Sequence, residues 1–215
     1  MNKTRIVYRG GQAEIIEKKS RFIATVTPVH SQEEALSFIA AQKKKYWDAT
    51  HNCYAYIIGQ QGREARCSDD GEPQGTAGRP MLDVLQGEDV YDICVVVTRY
   101  FGGTLLGTGG LVRAYSRVVQ EGLAASAILK TELGYRLLIR TDYTGLGKIQ
   151  YLLGERGLKI INSSYGQDVE LETLVPEDLL KSVKENITEA TSGRAVFEQE
   201  VSTRYAFLDQ EPIFL

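Results

Sequence analysis

The hydrophobic positions of residues 135–207 alternate between the periods of strands and of helices. Strand-like runs occur at Tyr135–Asp142, Leu158–Ser164, Asp168–Val175 and Ala195–Phe207. Helix-like runs occur at Gly145–Arg156 and in a segment that begins at Pro176, places Leu179, Leu180, Val183 and Ile187 on one face, and ends near Gly193. The order strand, helix, strand, strand, helix, strand predicts a ferredoxin-like (βαββαβ) sandwich.

Residues 20–125 mix the two periods in a different order. Strands are predicted at Ser20–Val29, His51–Ile58, Arg63–Asp70 and Asp92–Arg99, and helices from Ser31 to about Trp47, at Met81–Leu85 and at Leu111–Ala125. Ser31 and Glu34 form a capping box. A tight turn at Gly59–Gly62 would pair residues so that Ala55 faces Cys67. The chain as a whole is predicted to be α+β.

Charge and polarity divide the chain into two predicted domains, residues 1–133 and 134–215. The segment Thr131–Gly134 is short and polar and precedes the first strand of the predicted sandwich. Residues 1–135 hold 16 Lys and Arg against 15 Asp and Glu, a net charge of +1, whereas residues 136–215 hold 9 against 13, a net charge of −4. This difference in sign indicates two units with different roles.

Composition excludes several classes of protein. Of the 215 residues, 43% are hydrophobic and 25% are charged, which is ordinary globular usage and argues against disorder. No apolar run approaches the ~18 residues of a membrane span, and the start MNKTRIVYRG lacks the apolar part of a secretory leader. Three cysteines without a CxxC pair fit a reducing compartment. We therefore expect a cytoplasmic protein with no membrane partner.

A glycine-rich segment, Arg99–Arg117, follows a predicted buried strand and opens a predicted helix. Its glycines are Gly102, Gly103, Gly107, Gly109 and Gly110. Free N–H groups and the positive end of the helix dipole converge at such a junction, which favours an anion. The spacing fits neither a Walker A loop nor a dinucleotide-binding loop. Arg113 and Arg117 lie early in the helix and four residues apart, where two cations are unfavourable unless an anion is bound.

An acidic loop, Arg66–Pro80, is the second candidate segment. Asp69, Asp70 and Glu72 either border the anion site or pair with its arginines, and both interpretations stay open. The predicted surface for RNA phosphate or a protein partner comprises Arg66, Arg79, Arg99, Arg113 and Arg117 with the five glycines of the glycine-rich segment, bordered by these three acids.

The hairpin of the second and third predicted strands carries other candidate side chains. His51, Cys53, Cys67 and Asp69 suggest a metal site, but both cysteines are expected on the core side of the hairpin, so we expect neither a metal nor a cofactor. Tyr54 and Tyr56 project to the opposite face. Packing of these two rings beneath a helix is favoured over base stacking.

Several strings of these segments together resemble the IMPACT family, in its bacterial YigZ-like branch. They are HNCYA at 51–55, SDDGEP at 68–73, GTAG at 75–78, VTRYFGG at 97–103 and LGTGGLVRAY at 106–115. The resemblance spans about residues 17–126. It implies an N-terminal domain similar to domain 2 of ribosomal protein S5, followed by a ferredoxin-like domain similar to domain V of elongation factor G. It also implies a translation context, because eukaryotic relatives regulate translation through a protein partner, but it implies no catalytic residues.

Two classes of function follow from this resemblance and the candidate residues. The first is a translation-associated regulatory or binding protein that uses the anion surface to contact RNA or a ribosome-associated protein. The second is a small-molecule enzyme, such as a kinase of the GHMP type with its glycine-rich loop at 106–110, although the serines of that loop are absent. A hydrolase that holds Mg²⁺ through Asp69, Asp70 and Glu72 is a further alternative.

Overall fold

The chain forms two compact units, Thr4–Lys130 and Thr131–Leu215, in a computed structural model that describes residues 4–59 and 64–215. Each unit combines helices with strands, which confirms the α+β class. Apart from Gly59, the predicted turn at 59–62 lies outside the described residues.

The segment Thr131–Gly134 lies inside a long strand, Ala127–Thr141, and not in a linker. Thr131 and Gly134 are buried, so this polar segment packs as part of the strand. An added Cβ at Gly134 would lie 2.4 Å from the carbonyl oxygen of Val175. The prediction that this segment precedes the first strand of the sandwich is therefore wrong.

The N-terminal unit is built on a five-stranded antiparallel sheet. Its elements are β1 (Thr4–Arg9), β2 (Gln12–Glu17), β3 (Ser20–Pro28), α1 (Gln32–Lys45), β4 (His51–Ile58), β5 (Glu64–Ser68), α2 (Gly78–Gly87), β6 (Val90–Tyr91), β7 (Ile93–Tyr100) and α3 (Thr108–Ala124). The sheet order is β2-β3-β7-β4-β5, and β1 pairs in parallel with β6. The hydrophobic pattern does not predict β1 and β2, because each buries a single side chain, Val7 or Ile15.

Strand β7 lies at the centre of this sheet and is buried on both faces. Val95 and Val97 belong to the core shared with α2 and α3. Cys94 and Val96 pack on the other face with residues of α1. The near-continuous apolar run of β7 follows from this position between two helical layers.

Helix α1 covers the second face of the sheet and begins as predicted. Ser31 Oγ accepts a hydrogen bond from the Glu34 N–H (3.2 Å), and the Glu34 carboxylate accepts one from the His30 N–H (2.7 Å). Tyr56 is buried in the core beneath this helix, and Tyr54 packs against that core. The structure thus confirms packing, and not base stacking, for these two rings.

The β4–β5 hairpin has the predicted register, with Ala55 opposite Cys67. Cys53 is buried in the core, as expected. Cys67 is exposed, contrary to the prediction, because β5 is the edge strand of the sheet.

The C-terminal unit contains the predicted order of strands and helices. Its elements are β8 (Ala127–Thr141, which begins before the unit), α4 (Tyr143–Glu155), β9 (Ile160–Tyr165), β10 (Val169–Pro176), a 3-10 turn (Glu177–Leu179), α5 (Leu180–Ala190), β11 (Val196–Leu208) and β12 (Glu211–Phe214). The strand order β11-β8-β10-β9 is antiparallel throughout and has the ferredoxin-like arrangement, with β12 added beside β11.

The helices of this unit pack on one core. Val183 and Ile187 of α5 join Ile149 and Leu153 of α4 in it. Pro176 is the last residue of β10 and immediately precedes the 3-10 turn, which leads directly into α5, so the helical segment begins one residue after the predicted position. None of the helices in the described part of the chain is long and apolar enough to span a membrane.

Candidate functional site

The sequence strings that carry the family resemblance meet in one buried polar network of the N-terminal unit. Its central group is the Glu72 carboxylate, whose Oε1 lies 2.5 Å from Arg99 Nη1 and accepts a hydrogen bond from the Tyr115 hydroxyl at 2.8 Å. All three residues are buried. A buried charge requires a counter-charge and hydrogen-bond partners, and here Glu72 and Arg99 supply them to each other.

Asp69 organises the loop that follows β5. Its carboxylate accepts hydrogen bonds from the N–H groups of Gly75 (2.8 Å), Ala77 (3.0 Å) and Gly78 (2.8 Å). Burial acts to raise the pKa of Asp69, but these three donors outweigh it and hold the pKa below its ordinary value. Because the N–H groups at the start of α2 find this partner in an earlier loop, α2 begins at Gly78, three residues before the predicted start.

Asp70 ties the same loop to β4 and α1. Its carboxylate lies 2.5 Å from Lys43 Nζ and accepts a hydrogen bond from the Asn52 N–H at 2.7 Å. Its carbonyl oxygen lies 2.8 Å from His51 Nδ1, which places the proton of the imidazole on Nδ1. The other ring nitrogen of His51 lies 3.9 Å from Glu72 Oε2.

Arg99 does not contribute to an accessible surface, which corrects its predicted place in the anion site. The residue is 5% exposed, and its guanidinium lies 5.3 Å from the ring centroid of Phe22 and 5.6 Å from that of Phe101. Its Nη2 donates a long hydrogen bond of 3.4 Å to Ser20 Oγ. Arg99 is therefore the internal counter-ion of Glu72.

The network satisfies its acids from within and has the character of a structural core. Burial raises the pKa of the Cys53 thiol to about 12, and burial likewise raises the pKa of the Tyr115 hydroxyl, so both groups are protonated at neutral pH. Within residues 4–59 and 64–215, no group of three or more His, Cys, Asp and Glu side chains is arranged to hold a metal ion. A role for Asp69, Asp70 and Glu72 as a Mg²⁺ site has no support in these contacts.

A groove of about 240 Å³ lies between the β2–β3 turn and α3. Lys18, Arg113 and Arg117 line it together with Leu106 and a single carboxylate, Glu17. We call it the cationic groove. The structure thus brings together Arg113, Arg117 and Gly110 of the predicted surface and adds Lys18, which sequence reasoning missed.

Arg113 and Arg117 differ in their partners. Arg117 pairs with Glu121 at 2.9 Å on the exposed face of α3. Arg113 is exposed and makes no ion pair with any residue that the structure describes. Its Nη1 lies so close to Gly109 that an added Cβ there would be 3.4 Å away. The Arg113 cation therefore folds back toward the positive end of the α3 dipole, which is unfavourable in the free protein.

The glycine-rich loop reaches this groove through conformations that suit glycine. Gly103 (φ +80°) and Gly107 (φ +74°) adopt positive φ, and Gly107 immediately precedes α3. Gly102 packs on the backbone of Lys19, where an added Cβ would lie 2.0 Å from the carbonyl carbon. No side chain caps α3, and its first turn contains no acid.

The two remaining arginines of the predicted surface do not line the cationic groove. Arg79 pairs with Asp83 at 2.8 Å on α2, and both side chains are exposed. Arg66 is exposed on the edge strand β5 and donates to the carbonyl of its neighbour Ala65.

The two units match two known family models. Residues 18–123 match the Impact N-terminal domain, and residues 139–194 match a domain of unknown function, DUF1949. The chain is thus a two-domain protein with an Impact N-terminal domain. It is 44% identical to IMPACT family member YvyE of Bacillus subtilis, over 88% of this chain and 87% of YvyE. The chain belongs to the IMPACT family.

Two other relatives extend over most of the chain. IMPACT family member YigZ of Escherichia coli is 40% identical, over 74% of this chain and 79% of YigZ. A crystal structure described as that of a hypothetical protein superposes with a TM-score of 0.59 at 34% identity, over 92% of this chain and 97% of the other. These matches agree with the resemblance inferred from the sequence strings.

Proposed function

We propose that this protein is a translation-associated regulatory or binding protein whose N-terminal unit binds RNA through phosphate contacts in the cationic groove. The observation that carries the proposal is Arg113, an exposed cation that is folded toward the start of α3 without an ion-pair partner in the described chain. Membership of the IMPACT family supports the translation context, because the family resemblance implies a role in translation.

The charges of the groove favour an anionic ligand. Lys18, Arg113 and Arg117 face a single carboxylate, Glu17, across a small cavity. The acids Asp69, Asp70 and Glu72 do not neutralise them, because those carboxylates are engaged by other donors. A phosphate in the groove would remove the repulsion between the cations and the unfavourable interaction of Arg113 with the dipole.

The test is the double variant Arg113→Ala/Arg117→Ala, measured for affinity toward RNA at about 50 and about 200 mM salt. We expect weaker binding and a log–log salt dependence that flattens by about one unit for each phosphate that is no longer neutralised. The free energy of unfolding should stay within about 0.5 kcal/mol, because an exposed pair such as Arg117–Glu121 contributes little. Lys181→Ala, which removes a similar exposed i,i+4 pair in α5, is the matched control and should leave affinity unchanged.

Two results would contradict the proposal. A destabilised double variant with unchanged affinity would show that these arginines serve the fold. Strong thermal stabilisation by ATP·Mg²⁺ together with no RNA binding would favour the small-molecule kinase.

A further inference from the structure

Trp47, the single tryptophan of the chain, lies on the surface of a firmly held turn. Its side chain is 82% exposed. The turn is closed by a hydrogen bond from the Ala49 N–H to the Tyr46 carbonyl (3.1 Å) and is joined to the end of β7 by one from the Thr50 N–H to the Arg99 carbonyl (2.9 Å). The fold thus presents a large aromatic ring to solvent on a fixed backbone.

A second exposed ring follows directly on the segment that holds this turn. Phe101 is 45% exposed, and its N–H donates to Thr50 Oγ1 at 3.1 Å. The guanidinium of Arg99 lies 5.6 Å from its ring centroid. Two exposed aromatic side chains therefore stand on neighbouring, mutually bonded segments. We call Trp47 and Phe101 the aromatic pair.

Positive charge lies beside Trp47 of the aromatic pair. The last turn of α1 supplies Lys44 and Lys45 immediately before the turn, and Lys45 Nζ lies 4.8 Å from the Tyr46 ring centroid. The acid next to the tryptophan, Asp48, accepts a hydrogen bond from the Tyr100 hydroxyl at 2.8 Å. This hydrogen bond leaves Asp48 charged, so Lys44 and Lys45 exceed it by one positive charge beside Trp47.

The backbone that follows Phe101 contacts the turn that carries Lys18 of the cationic groove. Gly102, the residue after Phe101, donates its N–H to Ser20 Oγ at 3.1 Å and packs on the backbone of Lys19. Lys19 and Lys18 form the β2–β3 turn, both at positive φ, and Lys18 lines the groove. One backbone path therefore connects the exposed rings to the phosphate-binding residues proposed above.

We propose that the aromatic pair stacks unpaired bases of the RNA whose phosphates occupy the cationic groove, so that the ligand is single-stranded RNA. This inference rests on the proposed function and adds the strandedness of the ligand. An exposed ring beside cations suits a base with an adjoining phosphate, whereas the bases of a duplex are not free to stack on a protein side chain. An exposed tryptophan could also anchor a protein partner, but the flanking lysines favour a polyanion.

The experiment compares a roughly 12-nucleotide single-stranded RNA with a duplex of the same length, using the intrinsic fluorescence of Trp47 and a labelled-RNA binding assay. The single strand should quench the tryptophan and bind more tightly than the duplex. Trp47→Ala should weaken single-strand binding about tenfold with an unchanged salt dependence, because stacking releases no counter-ions. Trp47→Phe should retain most of the affinity, and Tyr151→Ala, at an exposed aromatic residue of α4, should have no effect.

Three other outcomes have distinct meanings. Equal binding of both RNAs, without quenching and without an effect of Trp47→Ala, would overturn the stacking inference and leave the phosphate surface in place. Quenching by polyglutamate as strong as that by RNA would overturn it in favour of an acidic protein partner. Binding of neither RNA at low salt would overturn both this inference and the proposed function.

Discussion

The buried pair of Glu72 and Arg99 gives the most direct test of whether the buried polar network stabilises the N-terminal unit. The perturbation is Glu72→Gln, which keeps the size of the side chain and removes its charge. It leaves Arg99, a residue that is 5% exposed, without its carboxylate partner. Removing one partner of a buried pair costs about 3–5 kcal/mol, which is a large part of the 5–15 kcal/mol that stabilises a typical domain.

The double variant Glu72→Leu/Arg99→Met separates a buried charge from a general packing defect. Apolar replacement of both partners removes the uncompensated charge, so the double variant should be more stable than Arg99→Met alone or Glu72→Leu alone, the two single variants of the cycle. A coupling free energy of at least about 2 kcal/mol is expected. The Tyr115 hydroxyl loses its acceptor in the double variant but keeps Cys53 Sγ as a neighbour at 3.3 Å.

The assay is urea unfolding followed by circular dichroism. Because the chain has two compact units, only the transition of the N-terminal unit should shift. Arg117→Ala is the control, since it breaks an exposed pair and should cost no more than about 0.5 kcal/mol. Losses below about 1 kcal/mol for both single variants, or an additive double variant, would refute the view that this pair is buried and coupled.

Three further predictions concern other parts of the N-terminal unit. Asp69→Asn should cost about 2 kcal/mol at neutral pH, because the folded state lowers the pKa of Asp69. The stability that the Asp69 carboxylate contributes is present above its pKa in the unfolded chain and is lost as the pH falls through its pKa in the folded chain. The difference in unfolding free energy between wild type and variant, measured by urea unfolding, should therefore shrink below about pH 4. Gly102→Ala should destabilise the unit by about 1–3 kcal/mol in the same assay, because an added Cβ would overlap the neighbouring backbone, and an unchanged midpoint would contradict this packing. A thiol reagent followed by mass spectrometry should label Cys67 in the native protein, whereas buried Cys53 and Cys94 should react only on unfolding.

The periodicity of the chain predicts those elements that bury a full face. Strand β7, a continuous buried run, and strands β8 and β10, which bury every second residue over part of their length, belong to this group. Strands β1 and β2 escape prediction, since one buried residue in six gives no period. The capping box of α1 is predictable because Ser31 and Glu34 are local partners, whereas the cap of α2 comes from Asp69, nine residues before Gly78.

The partners of charged residues are harder to predict from sequence than the elements that carry them. Arg99 and Arg113 belong to one glycine-rich segment, yet Arg99 turns into the core and Arg113 turns to solvent. Their difference depends on strand pairing, which places Arg99 opposite His51 of β4 and close to the loop that supplies Glu72. Lys18 lies outside the sequence strings of the family, so only the folded chain shows that it lines the same groove as Arg113 and Arg117.

The buried network and the exposed surface have complementary roles in this interpretation. The side chains that make the sequence recognisable bond mainly to one another and are buried, so they offer few free groups to a ligand. They do, however, fix the end of β7, from which Phe101 and the glycine-rich loop emerge, and the turn that carries Trp47 is bonded to the same strand end. A binding surface formed by turns needs such support, because ordering them at the moment of binding would reduce affinity. The most recognisable residues of the chain thus act by positioning, and the residues that would touch RNA lie at their margin.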